Sequence, residues 1–258
     1  MTDNETIQAV AEKDTGGVPV MTVRRLYKAF GTNAVLNDFN FILRKGESVA
    51  VLGKSGSGKS VFIKCVIGLL KPDRGEINVL GKDIASLRSD ELDHLRTKIG
   101  FLFQSNALYD SMTVRENLEF PLRRHWIRLT TVQTNDRVMK ALTNVGLADT
   151  VNMMPSELSG GMRKRIALAR TLILEPDIIL YDEPTTGLDP ITSREISNLM
   201  VEITRKYNTS SVIISHDMNC IRATTDRIVM LINGRSYAEG TYQELKQIID
   251  PKVKQFFE

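Results

Sequence analysis

The stretch Gly53-Lys54-Ser55-Gly56-Ser57-Gly58-Lys59-Ser60 fits the pattern G-x-x-x-x-G-K-[ST], and its flanks decide how it reads. Upstream, Ser48-Val49-Ala50-Val51-Leu52 is an apolar run of the buried-strand type; downstream, Val61 begins a helical run. Strand, glycine-rich turn and helix is the context in which this pattern cradles phosphates. Gly53, Gly56 and Gly58 let the backbone turn tightly and aim its N–H groups at phosphate oxygens, while the helix N-terminus adds positive potential. Lys59 supplies a point charge for the β- and γ-phosphates, and the Ser60 hydroxyl is a ligand for Mg²⁺. Lys54, Ser55, Ser57 and Val61 complete the expected nucleotide contacts. A glycine–serine turn without function is the alternative, and the matching flanks argue against it.

Working outward, further strand candidates are Phe39 to Leu43, Glu76 to Leu80, Ile99 to Phe103, Ile178 to Tyr181, Ser211 to Ile214, Ile228 to Ile232 and Ser236 to Glu239. Helical stretches separate several of them, which argues for an α/β core with a largely parallel sheet. No glycine occurs between Gly100 and Gly146, and there Val138, Leu142 and Val145 recur at i, i+4, i+7 before Gly146 ends the helix. Another helix is expected from Met162 to Leu174, and residues 105–175 read as a mostly helical subdomain inserted into the core. Residues 1–20 are polar, acidic and end in Gly16-Gly17-Val18-Pro19, so they read as a disordered lead-in with no secretory leader.

A second acidic element is Ile178-Ile179-Leu180-Tyr181-Asp182-Glu183, an apolar strand delivering two adjacent carboxylates. Because strand side chains alternate between faces, Asp182 and Glu183 are expected to take different tasks, one holding Mg²⁺ and one polarising a water. Composition bounds the rest. The 258 residues are 42% hydrophobic and 25% charged, with a net charge of +3. No run approaches the roughly 20 apolar residues of a membrane span. Cys65 and Cys220 make neither a disulfide framework nor a metal cluster, and the small net charge gives no case for nucleic acid.

Leu158-Ser159-Gly160-Gly161-Met162 resembles the LSGGQ signature of ABC-type ATPases, lying as theirs does between the phosphate loop and the second acidic strand. The resemblance spans about residues 20–245, through six ordered motifs. It implies a phosphate-loop NTPase core of ABC type with an inserted helical subdomain and an N-terminal antiparallel β subdomain, an ATPase domain over 21–248, and a C-terminal tail at 249–258. It also implies site roles. Phe30 stands where the family stacks an aromatic on adenine, with Tyr27 the alternative platform. Gln104, in Phe101-Leu102-Phe103-Gln104-Ser105, looks like the glutamine that reaches Mg²⁺ and the attacking water. Asp189, in Thr186-Gly187-Leu188-Asp189-Pro190, resembles the family's D-loop aspartate and equally reads as a helix N-cap. His216 resembles the switch histidine at the γ-phosphate. His94 and His125 have no such context. Met162 departs from the usual glutamine and Thr186-Gly187-Leu188-Asp189 from the commoner Ser-Ala-Leu-Asp, and neither change removes a phosphate donor.

In this family two cassettes pair head to tail, each ATP lying between one phosphate loop and the partner's signature turn, so a homodimer is expected. Its implied partner is an integral-membrane permease, docked on the apolar stretch Ala107, Leu108, Tyr109, Met112 and Val114. Met154 to Met162, Phe103 to Tyr109, Pro121-Leu122-Arg123 and the tail Asp250 to Phe257 look like the ATPases of Mla/Mce-type lipid-transport systems. That likeness implies phospholipid transport from the cytoplasmic side of the inner membrane, with a lipid-binding substrate protein as a further partner. An importer ATPase for a polar solute such as an amino acid is the alternative.

Overall fold

The computed structural model describes residues 17–124 and 127–258; most of the expected lead-in (1–16) and His125 lie outside them. Two antiparallel strands come first, β1 (Pro19–Phe30) and β2 (Asn33–Arg44). They are followed by β3 (Ser48–Leu52), helix α1 (Lys59–Val66), β4 (Arg74–Val79) and the two-residue β5 (Lys82–Asp83). Next come α2 (Ser89–Thr97), β6 (Ile99–Leu102), α3 (Val114–Arg124), α4 (Thr131–Asn144) and α5 (Gly160–Leu172). The chain continues through β7 (Ile178–Asp182), α6 (Pro190–Tyr207), β8 (Ser210–Ile214), α7 (Met218–Thr224), β9 (Arg227–Ile232) and β10 (Arg235–Gly240). Two short helices, α8 (Tyr242–Lys246) and α9 (Pro251–Lys254), end the described elements.

The strands form two sheets. An antiparallel four-stranded sheet runs β2-β1-β4-β5, and a six-stranded sheet runs β10-β9-β3-β8-β7-β6. In the larger sheet β9, β3, β8, β7 and β6 are mutually parallel, and only β10 is antiparallel to its neighbour. β3 and β8 are buried at every residue, as strands covered on both faces must be.

β1 is absent from the strand candidates, and its register explains why. The pairing with β2 and β4 shifts between Val23 and Tyr27, where Arg25 adopts a φ of 47° and donates its N–H to Asn40 Oδ1 at 2.8 Å. The bulge moves the buried side chains from Met21 and Val23 to Leu26, which hides the period of two. The strand also opens at Pro19, inside the expected lead-in; a proline is tolerated as a strand's first residue.

Among the described residues three apolar cores form: a small one joins Ala50 and Leu52 of β3 to Ile228, Met230 and Leu245, and the two larger ones flank the large sheet. On one side Phe62 of α1 meets Phe39 and Phe41 of β2 at ring-centroid distances of 5.0 and 5.1 Å. Burying each such ring stabilises by about 1.5–3 kcal/mol. On the other side, α3, α4, α5 and α6 pack against Ile179, Tyr181 and Ile213. The Val138, Leu142 and Val145 stripe faces this core, and Gly146 at φ 70° follows the end of α4. Between residues 105 and 175 the regular elements described are helical. Val114 is not part of an exposed docking stretch: it opens α3 and is buried with Leu118 and Leu122, its i+4 and i+8 neighbours. Among the described residues no helix is long and apolar enough to cross a membrane.

Candidate active site

Strand register assembles the site. Val51 of β3 and Asp182 of β7 both pair with Ile214 of β8, so the C-terminal ends of three parallel strands lie side by side. The residues just past them (Gly53, Glu183 and His216) converge at that edge, where open α/β sheets bind their ligands. A cleft of about 690 Å³ opens there. Phe30, Gly53, Ser55, Gly56, Ser57, Gly58, Lys59, Ser60, Val61, Gln104, Asp182, Glu183 and His216 all line it. Lys54 lines the adjoining cavity on the other side of the loop. Phe30 is 49% exposed, with the Lys28 Nζ 5.5 Å from its ring centroid.

The loop demands its glycines. A Cβ on Gly53 would sit 2.6 Å from the Leu231 carbonyl oxygen and from Ser57 Oγ. Gly58 has a φ of 105°, and a Cβ there would meet Val35 Cγ1 at 2.9 Å. Lys59 lies back over the loop, its Nζ donating to the Gly53 carbonyl at 2.6 Å and the Lys54 carbonyl at 3.0 Å. Burial works against its charge, and Glu183 and Asp182 support it.

Glu183 does not continue the strand alternation. Its φ of 51° and the hydrogen bond from its N–H to the Ile214 carbonyl (2.8 Å) turn the side chain into the same cleft as Asp182. The two carboxylates therefore share one site instead of occupying opposite faces. Glu183 Oε2 accepts from Thr186 Oγ1 at 3.0 Å and lies 2.9 Å from His216 Nδ1. Thr185 Oγ1 in turn donates to Asp217 Oδ2 at 2.9 Å, tying the turn after β7 to the cap of α7. Thr185, Thr186 and Asp217 are missing from the expected site; Thr186 is a local neighbour of Glu183, and only the pairing of β7 with β8 brings Thr185 to Asp217.

Burial first, and then the neighbouring Glu183 charge, hold the Asp182 carboxyl above its ordinary range. An acid raised in the fold contributes stability below its unfolded value near 3.9, and that contribution is lost as pH rises through the folded value. Asp182→Asn therefore raises the Tm of the nucleotide-free chain at pH 7–8, with the gain vanishing toward about pH 4. Thermal unfolding across that range checks it; a lower Tm at pH 8 contradicts it.

Besides Lys54, four of the expected residues lie off the cleft. Ser159 caps α5, its Oγ accepting from the Met162 N–H at 3.2 Å, so Ser159, Gly160 and Gly161 form that helix's first turn. Asp189 caps α6, accepting from the Ile191 and Thr192 N–H groups at 3.0 Å. Its hydrogen bonds to Thr192 lower the Asp189 carboxyl below its ordinary range. The two caps are neighbours: a Cβ on Gly161 would touch Thr192 Cγ2 at 2.8 Å.

The segment after Gln104 is braced by residues that sequence reading passed over. Asn106 and Ala107 adopt φ values of 64° and 52°, and Arg170 of α5 donates to their carbonyls at 2.9 and 2.7 Å. Asn117 is fully buried. Its side chain accepts from the Tyr109 N–H at 2.8 Å and donates to the Tyr109 and Met112 carbonyls at 3.0 Å. A polar residue inside an apolar α3 stripe is the signal that could have found it.

Comparison with known proteins agrees with this geometry. Residues 36–186 match the family model described as ABC transporter. The chain is 37% identical to the "Intermembrane phospholipid transport system ATP-binding protein MlaF" of Haemophilus influenzae, covering 92% of this chain and 89% of that protein. It is 40% identical to "Probable ribonucleotide transport ATP-binding protein mkl" of Mycobacterium tuberculosis, over 94% of this chain and 68% of the relative. It is 41% identical to "Protein TRIGALACTOSYLDIACYLGLYCEROL 3, chloroplastic" of Arabidopsis thaliana, over 90% and 72%. A bacterial ABC transporter cassette solved as a dimer superposes with a TM-score of 0.78 at 32% identity, over 86% of this chain and 98% of that one. The cbiO1 protein of Clostridium perfringens gives 0.82 at 29% identity, over 92% and 94%. With the family model matching more than half its length and MlaF aligning with nearly all of it, the chain belongs to the ABC transporter ATP-binding family.

Proposed function

We propose that this chain is the ATP-hydrolysing subunit of an ABC system that moves phospholipid or a related lipid between envelope membranes. The observation that carries the ATPase reading is the meeting of Lys59, Asp182, Glu183 and His216 at one sheet edge, with Glu183 Oε2 and His216 Nδ1 2.9 Å apart. Phosphates would lie against the N–H groups of the Gly53–Ser60 loop, with Lys59 turning its Nζ from the loop carbonyls to the β- and γ-phosphates. Phe30 offers its open ring face to the adenine. Glu183, held through Oε2, keeps Oε1 to accept a proton from the attacking water, and His216 orients the carboxylate and meets the γ-phosphate.

The cleft also fits Mg²⁺. Ser60, Gln104 and Asp182 present a hydroxyl, an amide oxygen and a carboxylate, all hard oxygen donors, and a cation relieves the burial that disfavours the Asp182 charge. Bound there, the ion would neutralise charge between the β- and γ-phosphates.

The Ser159-Gly160-Gly161 turn, exposed at Ser159 and Gly160, and the exposed Asp189 do not line the chain's own cleft and suit a site completed by a second copy. Two copies then enclose two ATP molecules head to tail. ATP favours the closed pair and hydrolysis releases it, a ligand-driven population shift. The pair works from the cytoplasmic face of a membrane through a permease, with Tyr109 (43% exposed) and its neighbours after Gln104 as the docking surface.

The lipid assignment rests on MlaF, which aligns over nearly the whole of both chains. The name of the mkl relatives supports a second reading, with a ribonucleotide as cargo. Purification of the assembled complex from native membranes distinguishes them. The expected result is a multi-span permease carrying phospholipid, identified by mass spectrometry, with ATPase activity in the same fraction. A complex that carries and transports nucleotides but no lipid overturns the cargo, and ATPase-active chain recovered only with ribosomes or DNA overturns the transporter reading.

A further inference from the structure

Lys164, in the second turn of α5, is only 1% exposed. Lysine is almost never fully buried unless something compensates its charge. Here the Nζ donates to the main-chain carbonyl of Gln104 at 3.0 Å. Burial opposes the ammonium charge, and Asp182 and Glu183 support it. The ammonium thus holds the backbone of the Gln104 loop, and the charges of Asp182 and Glu183 in the same cleft favour it from a distance.

A buried polar residue can be merely a satisfied core group, so the partners decide. Lys164 shares one helical face with Leu168 and Thr171, where an apolar side chain would pack without cost. Its partner is not another core residue but the backbone of a residue that lines the cleft. Two turns further along the same helix, Arg170 holds the carbonyls of Asn106 and Ala107. One helix therefore braces the segment from Gln104 to Ala107 at both ends. That helix begins at Ser159, and at a rise of about 1.5 Å per residue its first turn lies within about 8 Å of Lys164 along the axis. A helix this short moves as a rigid body, so a displacement of its first turn is delivered to the Gln104 backbone.

We propose that Lys164 is a positioning residue that couples the two nucleotide sites of the dimer. It fixes the Gln104 main chain, in the chain's own cleft, to the helix whose Ser159-Gly160-Gly161 turn faces the nucleotide of the second copy. The proposal rests on the head-to-tail pairing and on Glu183 as base.

The test compares Lys164→Met, Lys164→Arg and Glu183→Gln in the full-length chain. Lys164→Met is expected to lower kcat about tenfold or more while the Kd for ATP stays within about threefold, a split that general destabilisation does not produce. The Hill coefficient for ATP falls toward about 1, and amide exchange speeds up over residues 104–107. Lys164→Arg, which keeps a charged donor, restores at least about half the rate. If the methionine variant does not fold, Lys164→Gln replaces it and must show the same split. Wild-type turnover in Lys164→Met overturns the proposal, as does a parallel loss of kcat, ATP affinity and Tm that arginine does not rescue. Glu183→Gln separates the two layers: if it is inactive while Lys164→Met is normal, only the coupling fails. If Glu183→Gln itself turns over normally, the reading of the site has failed.

Discussion

Glu183→Gln is expected to keep ATP binding within about threefold of wild type and to lose about 10²–10⁴-fold in turnover, the range a positioned general base contributes. The substitution is nearly isosteric, and the amide can remain in the hydrogen-bonding position now held by Thr186 Oγ1 and His216. Lys59, Ser60 and the loop N–H groups, to which the proposed site assigns the ground-state affinity, are untouched. What disappears is the carboxylate proposed to take a proton as the water attacks. Equal affinity with lower kcat marks an interaction used only in the transition state. Nucleotide titration and phosphate release measured on the same preparation check this. The stalled variant should also accumulate as a closed dimer with ATP, visible by size-exclusion chromatography, because hydrolysis no longer reopens it. Hydrolysis at the wild-type rate removes Glu183 from the base role.

Lys59→Ala acts one step earlier. A hydrogen bond to a charged partner contributes about 1.5–3 kcal/mol, and about 1.4 kcal/mol is tenfold in an equilibrium constant. The Kd for ATP should therefore rise by about 10- to 100-fold, and turnover at fixed nucleotide should fall with it. The fold itself should survive. Lys59 is half-buried, its charge is opposed by burial, and its side-chain ammonium donates to the Gly53 and Lys54 carbonyls at the cleft edge. A Tm close to wild type without nucleotide, combined with loss of the thermal shift on adding ATP, is the expected pair of results. Unchanged ATP affinity contradicts the phosphate role of Lys59.

Much of the nucleotide-binding half is readable along the chain because its chemistry is local. Gly53 to Ser60 are consecutive, and their residue types alone mark the strand–turn–helix unit, although the steric demands at Gly53 and Gly58 come largely from Leu231 and Val35 on neighbouring strands. The apolar runs that became β3, β7 and β8 are legible for the same reason: a strand buried on both faces admits few polar residues. β1 escapes that reading because a bulge at Arg25 resets its alternation. Val114 reads as surface until α3 forms and turns it inward with Leu118 and Leu122.

The sequence by itself determined the phosphate loop, the acidic strand end, the order of the six motifs and the mostly helical character of residues 105–175. Each depends on residue type and short spacing, which the backbone converts into local geometry without help from distant parts. Only the tertiary structure decided which ends meet. Ile214 pairs with both Val51 and Asp182, and that register alone sets the loop, the carboxylates and His216 around one cleft. Glu183 enters the cleft because a left-handed turn overrides the strand pleat, and Lys164 reaches Gln104 across 60 residues of chain. Strand order and buried charge pairing are set by the packing of the whole core, which no short window of residues contains.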